Sequence, residues 1–218
     1  MQLITIDGPS GVGKGTLALL LTKHFKLNYL NSGSLYRSVA YLTKLNNIHM
    51  KDIENIIPLI STLKIEFLLQ DNDFKLICNN SDITKYINTE EYATRASLMS
   101  SNKYIRNSLI DLQRSFYIDP GLVAEGRDMG SVIFKDSKFK IFLTASNEIK
   151  ARRRYKQLKQ KGINVSLPHL IEELNERDKR DASRKISPLV IPHDAYVIKT
   201  DKLTINEVLT KSLKYIKN

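Results

Sequence analysis

The first 25 residues pass from an apolar run through a glycine-rich segment into a longer apolar stretch. Residues 3–6 read LITI, which is typical of a short buried strand, and residues 16–25 read TLALLLTKHF, with apolar side chains at most positions. The segment between them, GPSGVGKG, is rich in glycine and favours a loop. The pattern therefore predicts strand, loop and helix, which is how a parallel α/β domain begins.

The same alternation of apolar strands and amphipathic helices continues along the chain. Residues 26–45 predict a short strand that leads through NSGS into a helix, and residues 204–218 predict a last helix in which Thr204 is the N-cap and Glu207 stands three residues later. Further strands are predicted from residue 121 onward, at 139–146 and at 195–200. About five strands alternating with helices predict an α/β fold with a doubly wound parallel sheet.

One segment departs from this alternation. In residues 65–80, two apolar stretches flank the polar turn QDND, which predicts a β-hairpin inside an otherwise helical region. Residues 88–117 predict one or two helices, ended by Pro120 and Gly121. Residues 147–184 predict two helices separated by a turn around Gly162. The hairpin is therefore expected to be part of an insertion into the sheet domain.

The composition favours a soluble cytoplasmic protein with no membrane association. The chain has 218 residues, of which 42% are apolar, enough for one sizeable core. No apolar run approaches the ~18 residues of a membrane span, and the segment QLITIDG at the start lacks the pattern of a signal peptide. A single cysteine, Cys78, excludes an internal disulfide and a multi-cysteine zinc site.

The positive charge is concentrated in the second half of the chain. The net charge is +11; residues 1–100 carry 10 lysines and arginines against 9 acidic residues, whereas residues 101–218 carry 24 against 14. The run KARRRYKQLKQK at 150–161 contains no acid. Such a distribution attracts polyanions, either nucleic acid or small phosphorylated ligands, and charge alone does not choose between them.

The loop Gly8–Lys14 satisfies the phosphate-binding pattern G-x-x-x-x-G-K after a strand and before a helix. Its backbone amides are expected to converge on an anion, with the positive end of the helix behind them. Gly15 stands where the strict motif has a serine or threonine that ligates Mg²⁺, and Thr16 follows. A Mg²⁺ ion is therefore expected to be held less by this loop and more by nucleotide phosphates and water.

Two motifs follow the second and third predicted strands. NSGSLYR at 31–37 presents the hydroxyl of Ser32 and the guanidinium of Arg37, which suits a phosphate. AEGRDMGS at 124–131 places Arg127 and Asp128 at the carboxyl end of a strand, where open α/β sheets bind ligands.

A third motif, ERDKRDASR, places Arg177, Asp181 and Arg184 at i, i+4 and i+7, which predicts one face of a helix. By periodicity alone, such a charge run is also typical of a solvated helix surface.

The sequence G-K-G-T in the loop resembles nucleoside monophosphate kinases among the P-loop proteins, and the absence of N-K-x-D disfavours a GTPase. Taken together, GPSGVGKGT, NSGSLYR, EGRDMG and ERDKRDASR closely resemble the bacterial cytidylate kinases, in order and over nearly the whole chain. The D-G-F-P-R signature of adenylate kinases is absent. In this resemblance Asn31 and Glu125 replace aspartates that are common at those positions.

The resemblance implies transfer of the γ-phosphoryl group of ATP to CMP or dCMP, with Mg²⁺ as cofactor. It implies catalytic roles for the residues Lys14, Arg127, Asp128, Arg177 and Arg184. It implies an ATP site made of Gly8, Pro9, Ser10, Gly11, Val12, Gly13, Lys14, Gly15, Thr16 and Arg152. It implies an acceptor site made of Ser32, Arg37, Ser97, Arg106, Arg127, Asp128, Arg177, Asp181 and Arg184, in which Ser97 and Arg106 read the cytosine edge.

The resemblance also implies a division into three parts. These are a core at 1–31, 106–150 and 186–218, an acceptor-binding domain at 32–105 with its insertion at about 60–86, and a lid with flanking helices at 151–185. Two mobile lids favour a monomer. A kinase for UMP or another small molecule remains an alternative on the same scaffold, and a nucleic-acid-binding ATPase is disfavoured because no helicase-like acidic pair follows a strand.

Overall fold

The structure of the protein is a computed structural model, which describes residues 1–71, 73–160, 162 and 165–217. The strands are β1 (Gln2–Asp7), β2 (Asn28–Asn31), β3 (Ile65–Gln70), β4 (Asp73–Cys78), β5 (Ser81–Asp82), β6 (Gly121–Gly126), β7 (Phe139–Thr144) and β8 (Tyr196–Lys199). The helices are α1 (Lys14–Phe25), α2 (Ser32–Leu45), α3 (Ile53–Ser61), α4 (Thr84–Ile87), α5 (Glu90–Met99), α6 (Lys103–Arg114), α7 (Asn147–Gln160), α8 (Leu167–Ser183) and α9 (Ile205–Lys217), with a π-helical turn at Met129–Ile133.

Five strands form a parallel sheet in the order β2–β6–β1–β7–β8, which confirms the predicted fold class. Every residue of β6 is buried, as expected for a central parallel strand covered on both faces. Its side chains alternate between two cores: Leu122 and Ala124 pack with α2 and α6, whereas Val123 packs with α1 and α9. The chain order reverses at β1, so the loop after β1 opens at a topological switch point.

The predicted hairpin is present as β3 and β4, and β5 adds a third antiparallel strand that the pattern did not predict. The cross-strand pair Leu69 and Phe74 lies next to the turn. Helix α3, before the hairpin, was also missed by the pattern. Its apolar residues Ile56 and Ile60 are buried in the core shared with α2 and α6.

The helical stretch predicted at 88–117 is two helices, α5 and α6. The side chain of Asn102 caps α6 by accepting hydrogen bonds from the amides of Tyr104 (2.9 Å) and Ile105 (3.3 Å). Helix α6 ends at Arg114, so Pro120 is too distant to be its terminator, contrary to expectation. Of the turn predicted around Gly162, residues 161, 163 and 164 lie outside the described residues.

The predicted cap of α9 is confirmed as a capping box. The Glu207 carboxylate accepts from the Thr204 amide at 2.7 Å, and the Thr204 hydroxyl accepts from the Glu207 amide at 3.3 Å. The predicted division into parts stays a prediction. Helices α6 and α7 run continuously through two of its limits, at residues 106 and 151. In the described part of the chain, no helix has both the length and the apolar character needed to cross a membrane.

Candidate active site

A cavity of about 830 Å³ opens at the carboxyl ends of the parallel strands, within the size range typical of small-molecule sites. It is bounded by the loop after β1, the start of α2, the hairpin, α5, and the helices α7 and α8. Most of the site residues predicted from sequence line it: Ser10, Gly11, Val12, Gly13, Lys14, Gly15, Thr16, Ser32, Arg37, Ser97, Arg106, Arg127, Asp128, Arg177, Asp181 and Arg184. Segments far apart in the chain therefore bring their cations to one place.

The phosphate loop, residues 8–16, contains three glycines with positive φ, Gly8, Gly11 and Gly13. Gly8 has φ +145° and an added Cβ would lie 2.2 Å from the carbonyl oxygen of Leu143, so no side chain fits there. Gly13 has φ +99° and is the N-cap of α1, which turns the helix N-terminus toward the cavity. Gly8 and Pro9 do not line the cavity, and they form the part of the loop that leads out of β1.

Lys14 lies inside the loop with an incomplete set of partners. Its Nζ donates a hydrogen bond to the carbonyl of Pro9 at 2.7 Å. Burial, followed by the neighbouring charge of Arg127, lowers the pKa of Lys14 to about 7. Nucleotide phosphates would supply the negative charge that this ammonium group lacks.

Asp7, at the end of β1, joins the phosphate loop to the segment after β6. Its two carboxylate oxygens accept hydrogen bonds from the amides of Met129 (2.9 Å) and Gly130 (2.7 Å) in the π-helical turn. Burial raises the pKa of Asp7 to about 6, although these two amides oppose the shift. The contact places Arg127 and Asp128 beside the loop. Sequence reasoning missed Asp7, whose signal was an acid directly before the first glycine of the motif.

A buried ion cluster surrounds Asp128. Its carboxylate forms a short ion pair with Arg106 and lies 3.9 Å from the guanidinium of Arg184. Both arginines are also tied to Ser100, whose carbonyl accepts from Arg106 at 3.1 Å and whose hydroxyl accepts from Arg184 at 3.3 Å. Arg184 is the C-cap of α8, in extended backbone, so the predicted helical face includes Arg177 and Asp181 but not Arg184.

A second ion pair joins Arg127 to Asp181, with Nε donating to Oδ2 at 2.8 Å. Burial raises the pKa of the Asp181 carboxyl, but Arg127, Arg177 and Arg184 outweigh burial and hold it below its ordinary value. The hydroxyl of Ser97 lies 3.5 Å from Asp181 and accepts a hydrogen bond from Arg180 at 3.1 Å. These contacts connect α5 to α8 across one end of the cavity.

Arg37 and Arg177 differ from these paired arginines. Arg37 donates to the side-chain oxygen of Asn88 at 3.2 Å, and burial and the charge of Arg177 lower its pKa to about 9. The Nε of Arg177 is buried without a hydrogen-bond partner among the described residues, and burial and Arg127 lower its pKa to about 10. We call Lys14, Arg37 and Arg177 the uncompensated cations, because no described acid forms an ion pair with them. Cations without an ion-pair partner, together with the orphaned donors at Arg177 Nε and Arg184 Nη2, fit a site for an anionic ligand.

The start of α2 is held by contacts of Ser32 and Asn31, and one of the partners, Gln113, was not identified from sequence. The Ser32 hydroxyl donates to the buried side-chain oxygen of Gln113 at 2.7 Å. Asn31 caps α2 through its Oδ1, which accepts from the Ser34 amide at 2.9 Å, and its Nδ2 donates to Glu125 at 2.9 Å. The two residues that replace the expected aspartates therefore contact each other.

The arginines of α7 point in different directions. Arg152 was expected to bind ATP, but it lies outside the cavity, pairs with Glu148 and has a side chain 64% exposed. Arg153 and Arg154 line the cavity instead: Arg153 donates to Thr200, and Arg154 forms an ion pair with Glu90 of α5. Successive residues of a helix point in directions about 100° apart, so three adjacent arginines cannot all face the cavity. Their sequence alone does not show which of them face inward.

Helix α8 also touches the phosphate loop directly, through a residue missed from the sequence. Asp178 accepts a hydrogen bond from the Ser10 amide at 3.3 Å and forms a short ion pair with the buried Lys150 of α7. Loop and lid helices are thus joined at one carboxylate.

The surroundings of the loop fit a Mg²⁺ ion held mainly by phosphates. No group of three or more histidine, cysteine, aspartate or glutamate side chains in the described residues is arranged to hold a metal. The oxygens near Gly15 include the hydroxyl of Thr16 and the carboxylate of Glu125, which would lie 3.3 Å from a Cβ added at Gly15. A cation that retains most of its water suits such a sparse set of oxygen ligands.

The comparisons with known proteins agree with these motifs. The cytidylate kinase family model matches residues 4–218. A cytidylate kinase of Methylococcus capsulatus is 43% identical over 218 residues, covering 100% of this chain and 98% of that protein, and one of Proteus mirabilis is 40% identical over 217 residues, covering 100% and 96%. Among solved structures, a gluconokinase from Sinorhizobium meliloti matches with TM-score 0.50 and 11% identity over 99% of this chain and 91% of that one, a likeness of fold alone.

Proposed function

We propose that this chain, which belongs to the cytidylate kinase family, transfers the γ-phosphoryl group of ATP to CMP or dCMP. The products would be ADP and CDP or dCDP. The observation that carries the proposal is the convergence of Lys14, Arg37 and Arg177 on one cavity without paired acids. Phosphoryl transfer asks a protein mainly to align two nucleotides and to stabilise negative charge between them.

On the donor side, the amides of the phosphate loop and Lys14 would hold the ATP phosphates. Arg153 and Arg154 face this side from α7 and would close over ATP, and the predicted role of Arg152 requires α7 to turn from its present orientation. Bound Mg²⁺ would neutralise part of the phosphate charge, near Thr16 and Glu125. Closure of α7 and α8 would exclude water, which otherwise competes with the acceptor for the phosphoryl group.

On the acceptor side, Arg37 would bind the phosphate of CMP together with Ser32, which would exchange its bond to Gln113 for the ligand. Ser97 and Arg106 would bind the cytosine edge, and Arg127, Asp181 and Arg184 the sugar and phosphate. Asp128 would orient Arg106 and Arg184, since it contacts both. Arg177 would lie between the nucleotides, where charge develops during transfer.

UMP or another small phosphate acceptor is the nearest alternative. A nucleic-acid-binding ATPase is less favoured, because the cations named above converge on one cavity of small-molecule size instead of following an extended groove. We also propose that the protein works in the cytoplasm as a monomer, and a sedimentation measurement would test the latter.

The test is a coupled assay of ADP formation with CMP, dCMP, UMP, AMP and single-stranded RNA, each at excess Mg²⁺. CMP and dCMP should stimulate turnover and RNA should not. Arg127→Ala should lower kcat/KM by about 100-fold or more, and the melting temperature should also fall, because the buried Asp181 loses its ion-pair partner. ADP formation that is unchanged by CMP and dCMP would refute the proposed function.

A further inference from the structure

Glu125 is held in the cavity floor by two neighbours on β2. It lies opposite Asn31 in the register of β6 and β2. The hydroxyl of Tyr29 donates a short hydrogen bond to its Oε1, and the Nδ2 of Asn31 donates to the same oxygen at 2.9 Å. No described residue donates to Oε2.

In each of these two residues, the surroundings determine that the group facing Glu125 is a hydrogen-bond donor. The Oδ1 of Asn31 is occupied as the cap of α2, so its amide nitrogen must point at the carboxylate. Burial and the charge of Glu125 raise the pKa of Tyr29 well above its usual range, which keeps the phenol protonated and able to donate. Both donors therefore hold the same oxygen of Glu125, Oε1.

Gly15 gives the Glu125 carboxylate its place beside the phosphate loop. A Cβ at position 15 would stand 3.3 Å from Oε1, closer than side chains normally pack, and 3.8 Å from Oε2. The glycine that departs from the strict motif thus leaves room for Glu125, whose negative charge in turn favours the charged form of Lys14.

The ring of Tyr29 connects the same carboxylate to the hairpin. It stacks on Phe74 of β4 with centroids 3.6 Å apart and planes 6° apart, and it meets Phe67 of β3 edge-on at 5.2 Å. Phe67 in turn contacts Phe116 beyond α6. One side chain therefore touches both the insertion and the floor of the phosphate site.

We propose that Tyr29 is a positioning residue that couples the β3–β4 hairpin to the phosphate loop, its ring held by Phe74 and its hydroxyl holding Glu125 beside Gly15. The inference rests on the proposed function, in that the hairpin borders the acceptor side and the loop holds ATP. A shift of the hairpin moves the ring, the ring moves the hydroxyl, and the carboxylate beside Lys14 moves with it.

The experiment is a double-mutant cycle on the full chain. Tyr29→Phe removes the hydroxyl of residue 29 and keeps its ring stacked on Phe74. Phe74→Leu removes the ring of residue 74 and keeps the hydroxyl of Tyr29. Tyr117→Phe is the matched control, since it removes a 2.8 Å hydrogen bond to the carbonyl of Met1, away from the cavity. Each variant is measured for kcat, for both KM values, and for amide hydrogen exchange of peptides that cover residues 8–20 and 65–80.

Tyr29→Phe should lower kcat about tenfold while both KM values change less than about threefold, because a charge-assisted hydrogen bond near the transferring group is lost. Phe74→Leu should lower kcat about threefold and raise exchange in residues 8–20, but only when the Tyr29 hydroxyl is present, since coupled residues give non-additive effects. Tyr117→Phe should leave kcat unchanged.

The proposal would be overturned if Phe74→Leu changed kcat and exchange equally in the parent chain and in the Tyr29→Phe variant. It would also be overturned if the Tyr29→Phe protein were less stable but had unchanged kcat and unchanged exchange in residues 8–20. The exchange measurement needs no acceptor nucleotide. Failure of the positioning role is therefore distinguishable from failure of the proposed function, which the CMP-dependent assay of the parent chain decides separately.

Discussion

Two sets of cations share the cavity, and they differ in whether an acidic side chain of the protein pairs with them. Arg106, Arg127 and Arg184 contact buried carboxylates of the protein itself, Asp128 and Asp181. The uncompensated cations Lys14, Arg37 and Arg177 have no such partner in the described chain, and burial lowers the pKa of each one. The paired arginines have carboxylates of the protein as counter-charges, although the Nη2 of Arg184 has no hydrogen-bond partner among the described residues, whereas the uncompensated cations lack such a counter-charge.

The difference separates structural from ligand-binding charge. A buried ion pair is costly to break, because the remaining partner is left without its counter-charge. A buried cation without a partner is destabilising in the free protein and is stabilised when phosphate arrives. The paired arginines should therefore govern stability as well as binding, and the uncompensated cations should govern binding and rate with little benefit to stability.

The largest expected effect is on activity, at Arg177. Arg177→Met should lower kcat by about 1,000-fold, in the range seen for arginines that stabilise phosphoryl transfer, while the melting temperature stays the same or rises because a buried positive charge is removed. Steady-state kinetics and thermal denaturation measure the two effects.

The matched control is Arg114→Met, which removes a hydrogen bond of 3.1 Å from Nε to the carbonyl of Ile133 outside the cavity. It should lower stability slightly and leave kcat unchanged. A clear loss of stability in Arg177→Met would show that Arg177 belongs with the paired set.

The next effect is on stability, at Asp128. Asp128→Asn keeps the shape of the side chain but leaves Arg106 and Arg184 without a neutralising charge, so the free energy of unfolding should fall by about 3 kcal/mol. Urea denaturation at pH 7 measures this change.

Asp194→Asn offers the comparison for an ion pair with an exposed acid. Asp194 contacts Lys140 at 2.7 Å, and its loss should cost less than about 1 kcal/mol. Similar losses for both variants would contradict the expectation that the buried carboxylate of Asp128 contributes more to stability than an exposed one.

The smallest expected effect is proton uptake by Lys14 when a nucleotide binds. Because its pKa is lowered to about 7, the free protein carries Lys14 largely neutral at pH 8. Bound phosphates raise that pKa, so binding of a non-hydrolysable ATP analogue should take up about one proton at pH 8 and almost none at pH 5, where Lys14 is already protonated.

Calorimetric titration in buffers of different ionisation enthalpy measures this uptake. Lys14→Met should abolish it, even where the weaker binding requires higher analogue concentrations. Equal proton uptake by the parent and by Lys14→Met would assign the titration to another group.

Much of the fold could be predicted because its signals are local. The glycines of the phosphate loop, the alternation of apolar strands with helices, the hairpin at 65–80 and the Thr204–Glu207 capping box each depend on residues close in sequence. Helix α3 was missed because its short apolar pattern does not differ from that of a buried strand. The end of α6 was misplaced because proline marks where a helix cannot continue, and many helices stop earlier.

The residues of the candidate site were also largely available from motifs, but their partners were not. Nothing near Asp128 in sequence points to Arg106, and nothing in LNYLN marks Tyr29 as a neighbour of Glu125. The arginines 152–154 of α7 were expected to fold over ATP together, with Arg152 named in the site, and only the direction of the helix shows that Arg153 and Arg154 face the cavity and Arg152 does not. Asp178 was hidden within a charge run of the kind that usually faces solvent.

The amino-acid sequence alone thus determined the class of fold, the phosphate loop and the family resemblance, since each follows from contiguous residues and their backbone preferences. Only the tertiary structure decided which cations form ion pairs within the protein, and that Glu125 lies beside Gly15. The physical reason is that charge compensation and steric room depend on distances between segments, and β6, β2, α6 and α8 come together only when the sheet is assembled.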